Sequence, residues 1–202
     1  MTNVEVRDKL QSILTDKFTV LDRVLFNLLP KGYKNREHVF SYDISEKLCL
    51  QFKVDISDVM ADSNVVLFED TLKLIGVSRD DIYDAAIANT ENKLPARFDS
   101  LCDMLHIEEL ENLPMYVLSN DKQVFGAGAI LYEGMYNKIF DIVGDFIIIP
   151  SSVHEVIILP EEFNSPFIAK MIREVNRTTV IDTEVLSDVP YRLTPAGDLI
   201  EI

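Results

Sequence analysis

A chain of 202 residues with 48% hydrophobic and 9% aromatic content can bury a proper core, as one domain or two small lobes, and lies far from the disordered class. Its formal net charge of −15 disfavours direct nucleic-acid binding, whose affinity comes mainly from Lys and Arg neutralising phosphates. No apolar run approaches the length that crosses a bilayer, the first ten residues are charged and helix-like, and Cys49 and Cys102 lie in no metal-ligand or redox spacing. The expectation is a cytoplasmic protein with reduced thiols, no membrane span and no cofactor.

Taken in order, Asn3 to Thr15 carries Val6, Leu10, Ile13 and Leu14 on one stripe and predicts an amphipathic helix capped by Thr2 or Asn3. Phe18 to Leu29 is mostly apolar and β-branched, ends at Leu29-Pro30-Lys31-Gly32, and predicts a strand, although Leu21, Val24, Leu25 and Leu28 would also suit a helix. A short basic island, Lys31 to Arg36, follows. His38–Tyr42 and Leu48–Val54 alternate apolar and polar residues, the pattern of a hairpin with one wet face. Val65, Phe68, Leu72 and Ile75 recur at helical spacing before Gly76, and Ser78 opens a second helix to Ala88 with Asp80, Asp81 and Asp84 near its positive end. Lys93 to Arg97 interrupts regular structure, Asp99 to Leu105 suits a short helix, and the acidic stretch Glu108-Glu109-Leu110-Glu111-Asn112 is the best boundary between lobes, 1–110 and 111–202.

Beyond it Met115 to Leu118 predicts a strand, Ser119 to Lys122 a turn and Val124 to Tyr132 the returning strand. Met135 to Val143 predicts a helix stopped by Gly144. The stretch Asp145 to Pro160, DFIIIPSSVHEVIILP, then sets two β-branched runs around a compact polar knot, Ser151-Ser152-Val153-His154-Glu155. Such runs fit strands buried on both faces. Phe163-Asn164-Ser165-Pro166 starts a last helix, with Phe167, Ile168, Met171, Ile172 and Val175 as its stripe, and a small hairpin of Tyr191–Leu193 and Leu199–Ile202 closes the chain. The fold class that follows is α+β, a layered mixed or antiparallel sheet covered by helices.

The order of Ile82–Thr90, Met115–Asn120, Gly126–Tyr132, Ile149–Val156, Glu174–Asn176 and Val185–Asp188 resembles a bacterial domain-of-unknown-function family of gut-dwelling anaerobes and their mobile elements. The likeness covers roughly Ile82 to Tyr191, with Pro150-Ser151-Ser152-Val153-His154-Glu155 as its most specific piece. It implies a bacterial cytoplasmic origin and no reaction.

Ser151, Ser152, His154 and Glu155 are the catalytic candidates: a serine nucleophile, His154 as base and Glu155 as orienter would make a hydrolase. In an extended strand Ser152 and His154 share a face while Glu155 points away, so the plainer role is tying down the turn. His154-Glu155 begins like a zinc-protease helix, but the position four after His154 is Ile158, and His38 and His106 are isolated, so no metal is expected. Gly126-Ala127-Gly128 lacks the third glycine of a dinucleotide loop, and small residues there let a second backbone approach. The excess of acids is either a solvated face or a surface that competes for a nucleic-acid-binding protein. The leading expectation is a non-enzymatic binding protein, centred on Asp80, Asp81, Asp84, Glu108, Glu109 and Glu111, that blocks a defence nuclease or repressor by resembling nucleic acid. A hydrolase using Ser152 and His154, and a small-molecule or peptide sensor module, are the alternatives.

Overall fold

Thr2 and Glu5 open the first helix reciprocally. The Thr2 N–H donates to Glu5 Oε2 at 2.7 Å and the Glu5 N–H to Thr2 Oγ1 at 3.3 Å, a capping box that starts α1 (Asn3–Thr15) as expected. The computed structural model describes residues 2–33, 37–105, 114–164 and 166–202. The chain is α+β, with two antiparallel sheets and helices packed against them. It divides into two compact units, one of Met1–Asn27, Asn35–Tyr42 and Leu50–Lys93, the other of Leu28–Lys34, Asp43–Cys49 and Leu94–Ile202. The expected lobe boundary at 108–112 lies outside the described residues.

The first sheet is made of β1 (Val24–Pro30), β2 (Ser41–Asp43), β3 (Leu48–Asp55) and β4 (Asn64–Val66), in the order β1-β3-β2 with β4 also on β3. Here the expected strand over Phe18 to Leu29 is corrected. Asp16 accepts hydrogen bonds from the Thr19 N–H at 2.8 Å and its hydroxyl at 2.7 Å, so α2 (Lys17–Arg23) forms first and only Val24 onward is extended. The expected helix from Val65 is shorter as well. Residues 64–66 pair with Asp55, Val54 and Lys53, and α3 (Glu69–Ile75) starts after them, ending at Gly76 with φ +67°. α4 (Arg79–Lys93) runs past Ala88, because Asn89 donates to the carbonyls of Leu21 and Val24 and the Thr90 hydroxyl accepts from the Phe26 N–H. Phe40 and Phe52 stack at 4.7 Å in this unit's core, to which the buried Leu50, Leu67, Leu72 and Ile82 also belong.

The second sheet has the order β10-β9-β7-β8-β6-β5, with β5 (Ala96–Ser100), β6 (Tyr116–Asn120), β7 (Phe146–Ser152), β8 (Glu155–Pro160), β9 (Tyr191–Leu193) and β10 (Leu199–Glu201). β5 replaces the expected break at Lys93–Arg97 and the start of the helix expected from Asp99. Its residues pair with β6 in unbroken register from Ala96↔Asn120 to Ser100↔Tyr116, leaving α5 as only Leu101–Leu105. The returning strand expected over Val124 to Tyr132 is instead a 3-10 turn at Gly126–Leu131, buried from Gly126 to Ile130. α6 (Met135–Val143) has its expected bounds. α7 (Ile168–Thr178) starts after Phe167 and lays Ile168 and Ile172 on Ile147, Ile149 and Leu159. On the opposite face Ile148 and Val156 meet Leu28, Leu48, Ile130, Leu186, Tyr191 and Leu199 around a void of only about 10 Å³. Both faces of β7 are therefore covered, which is why its sequence is a continuous apolar run.

Neither cysteine is in a disulfide; Cys49 is buried and Cys102 half-buried. Among the described residues no helix is long and apolar enough to cross a membrane. In the first unit, burial pushes the Lys53 amine down to about 8, with Asp55 opposing the fall. Its pKa is below the unfolded value, so between pH 8 and 10.5 the unfolded chain holds a proton that the folded chain has released, and stability rises with pH across that window. Lys53→Met should lack this rise. Urea unfolding at pH 7 and pH 10.5 should show the stability difference between variant and parent shifting by about 3 kcal/mol in the parent's favour at the higher pH.

Candidate functional site

Pro150 has no N–H to give either neighbouring strand, and the pairing of β7 with β8 slips between Ile149 and Ser152 before closing at Ser152↔Glu155. Val153 and His154 form the turn, and the polar knot predicted from the sequence is this hairpin tip. Three segments converge on it. The Ser119 hydroxyl at the end of β6 donates to the His154 carbonyl at 2.8 Å. The Ala127 N–H donates to the Val153 carbonyl at 3.3 Å, and the Val153 N–H to the Glu184 carbonyl at 2.8 Å.

The imidazole of His154 completes the arrangement. Its Nδ1 accepts from the Phe125 N–H at 3.1 Å, which places the ring hydrogen on Nε2, 3.5 Å from Glu184 Oε1. The Phe125 ring lies tilted against it, centroids 5.4 Å apart. Phe125 and Gln123 both have left-handed backbone, φ +52° and +55°. Asn120 holds that loop from within: its Oδ1 accepts from Lys122 and Val124 N–H groups at 3.1 and 3.3 Å, and its Nδ2 donates to the Val124 carbonyl at 3.0 Å. Asn120 and Ser119 are buried. The expected close backbone approach occurs at Gly126, where an added Cβ would lie 2.2 Å from Ser119 Oγ, 2.5 Å from the Asn120 nitrogen and 2.8 Å from the His154 carbonyl.

The candidate catalytic residues are thus in one hairpin but with separate partners. Ser152 Oγ accepts from the His154 backbone N–H at 3.1 Å, while the Ser151 hydroxyl donates to Glu155 Oε1 at 3.4 Å. The imidazole faces Phe125 and Glu184. Glu184 is singled out by no sequence pattern and reaches the tip from a distant loop, while the tip-holding roles of Asn120, at the end of β6, and Phe125, in the loop after it, are encoded by no spacing. Among the described residues no three or more His, Cys, Asp or Glu side chains are grouped to hold a metal ion. Of the acidic residues, Asp80, Asp81 and Asp84 are exposed on α4. Asp81 also caps that helix, its N–H donating to Ser78 Oγ at 3.1 Å and its carboxylate accepting from the Ser78 N–H at 3.4 Å. Glu108, Glu109, Glu111 and His106 lie outside the described residues.

An antiparallel sheet clasped by helices, with a histidine-bearing hairpin tip fastened by three other segments, is the class of protein this architecture defines. The chain belongs to a family of unknown function (DUF5688), whose model matches residues 22–193, from within α2 to the end of β9. No match was found among curated proteins or among solved structures.

Two substitutions should measure how much the tip holds. Gly126→Ala has only backbone and a buried serine to push against and should cost about 2 kcal/mol or more. His154→Ala leaves the Phe125 N–H without its acceptor and should cost about 1–2 kcal/mol. Both are read from denaturant midpoints; losses of a few tenths would show that the tip is not a structural fastening.

Proposed function

We propose that the protein is a non-enzymatic, acidic binding protein of the bacterial cytoplasm, carried by mobile elements of gut anaerobes. In this reading it blocks a nucleic-acid-binding protein, a defence nuclease or repressor, by presenting carboxylates where that partner expects phosphates. The observation that carries the reading is the exposed acidic face of α4, on a unit in which five of the described cations are paired with carboxylates away from Asp80 and Asp84. Lys9 and Arg23 both reach Asp58, Lys73 pairs with Asp70, Arg79 with Glu69 and Lys93 with Asp55. Arg23 and Lys9 hold the Asp58 carboxyl down at about 2. Asp80 and Asp84 stand one helical turn apart, roughly 6 Å, on the solvent side, and neither forms an ion pair among the described residues. The net charge of −15 favours fast, salt-dependent encounter with a basic groove. Glu108, Glu109 and Glu111 add three carboxylates to the chain's acidic excess.

The support from the hairpin tip is of another kind. Its serines and histidine have structural partners, which accounts for the polar knot without a reaction.

The test uses Asp80→Lys with Asp84→Lys, sparing Asp81 so that the helix keeps its cap, and a second variant reversing Glu108, Glu109 and Glu111. Immobilised protein should retain nucleic-acid-binding proteins from a nuclease-treated host lysate, release them to heparin or rising salt, and lose at least tenfold of that capture on reversal, since roughly 1.4 kcal/mol corresponds to each factor of ten. Capture unchanged by both reversals would overturn the reading.

A further inference from the structure

The open end of the β7–β8 hairpin carries a cleft that nothing above uses. β7 and β8 pair Phe146 with Pro160, so the next residues outward, Asp145 and Glu161, stand side by side, and the Glu161 N–H donates to the Asp145 carbonyl at 2.8 Å. The cleft has a volume of about 290 Å³ and is lined by these two, Tyr136, Phe146, Arg192 and Leu193. We propose that it is a binding site for a guanidinium or ammonium group, held between the Asp145 carboxylate and the Tyr136 ring.

The lining is already half of such a site. Arg192 donates to Glu161 Oε1 at 2.5 Å, and Asn164 Nδ2 donates to the same oxygen at 3.3 Å, so one carboxylate has its guanidinium. Asp145, its neighbour across the strand pair, makes no side-chain hydrogen bond or ion pair among the described residues. With two acids and one base, the lining has a formal charge of −1, and a cation restores balance where an anion would not. The wall is aromatic: Tyr136 stacks on Phe140 at 5.8 Å and 14°, and tilts against Phe146 at 5.7 Å. A cation seated against that ring gains its quadrupole as well as the carboxylate. The volume is at the lower end of ligand pockets, which selects one compact head group over a large molecule. That head group can belong to a free amine or to an Arg or Lys side chain of a protein partner. The site lies in the second unit and stands independently of the acidic face of α4.

The experiment is a titration of the ¹⁵N-labelled chain followed by amide shifts. Its probes are agmatine, the blocked tripeptide acetyl-Gly-Arg-Gly-amide, and sodium acetate at matched ionic strength. The proposal expects saturable shifts at Asp145, Phe146, Glu161, Arg192 and Leu193 with agmatine, the peptide or both, and none with acetate. Response to agmatine alone identifies a free amine; response to the peptide identifies a partner's side chain. Asp145→Asn, an exposed position whose spectrum reports its own folding, should weaken saturation at least about fivefold, and Tyr136→Leu should weaken it independently. No saturable shift with either cation at millimolar concentration, an equal response to acetate, or undiminished binding in both variants would overturn it.

Discussion

Burial of both faces of β7 is the constraint on which the second unit depends. Ile147 and Ile149 point into the layer closed by α7, while Ile148 and Pro150 point into the layer closed by Ile130, Leu186, Tyr191 and Leu199. At about 25 cal/mol per Å² of apolar surface removed from water, a strand of this composition is worth far more buried than any single polar contact around it. Along β7 and β8 the polar side chains are consequently gathered at the two ends of the hairpin.

At the turn end, polar groups that could not be left dry are satisfied by one another. The Val153 and His154 carbonyls, the Val153 N–H and the His154 ring nitrogens all have protein partners, drawn from β6, the loop before the 3-10 turn and the segment at Glu184. Such a network fixes a unique arrangement because each missing bond leaves a buried or half-buried group unpaired. It also explains two backbone conformations that would otherwise be costly. The left-handed residues Gln123 and Phe125 are held between the Asn120 amide and the His154 imidazole. Tyr191 adds a buried bond of the same kind, its hydroxyl 2.9 Å from Ser187 Oγ, and burial raises its pKa.

The sequence makes legible what is local and periodic. The capped helix Asn3–Thr15, the helix Met135–Val143 between its glycines, the apolar pair of strands and the terminal hairpin all stand where spacing and stop signals put them. Errors arise where a local cap or a distant strand overrides the pattern. Asp16 and Thr19 make a helix out of the front of an apolar run that periodicity alone could not assign. Residues 96–97 look like a break and 99–100 like the start of a helix until β6 supplies their partner, and Gly126–Leu131 is too small-residued to be told from a strand before Ser119 and His154 are seen to press on it. The four polar residues of the tip were legible as a group. Glu184 and Phe125, which complete it, come from loops whose approach no spacing encodes.

The contrast between the two ends of the same hairpin bears on where binding belongs. At the tip the Val153 and His154 carbonyls, the Val153 N–H and the imidazole are spent on the fold, so a ligand taking them would have to displace bonds that hold three segments together, at about 1 kcal/mol or more for each. At the open end the strand register itself sets Asp145 beside Glu161; their backbones bond, but two carboxylates on neighbouring positions add repulsion rather than stability. Arg192 relieves one of them and leaves the other facing an aromatic wall. Fold energetics account for the tip without invoking a partner. They do not account for Asp145, and a residue placed against its neighbour's charge is the kind of local conflict that stability alone does not select.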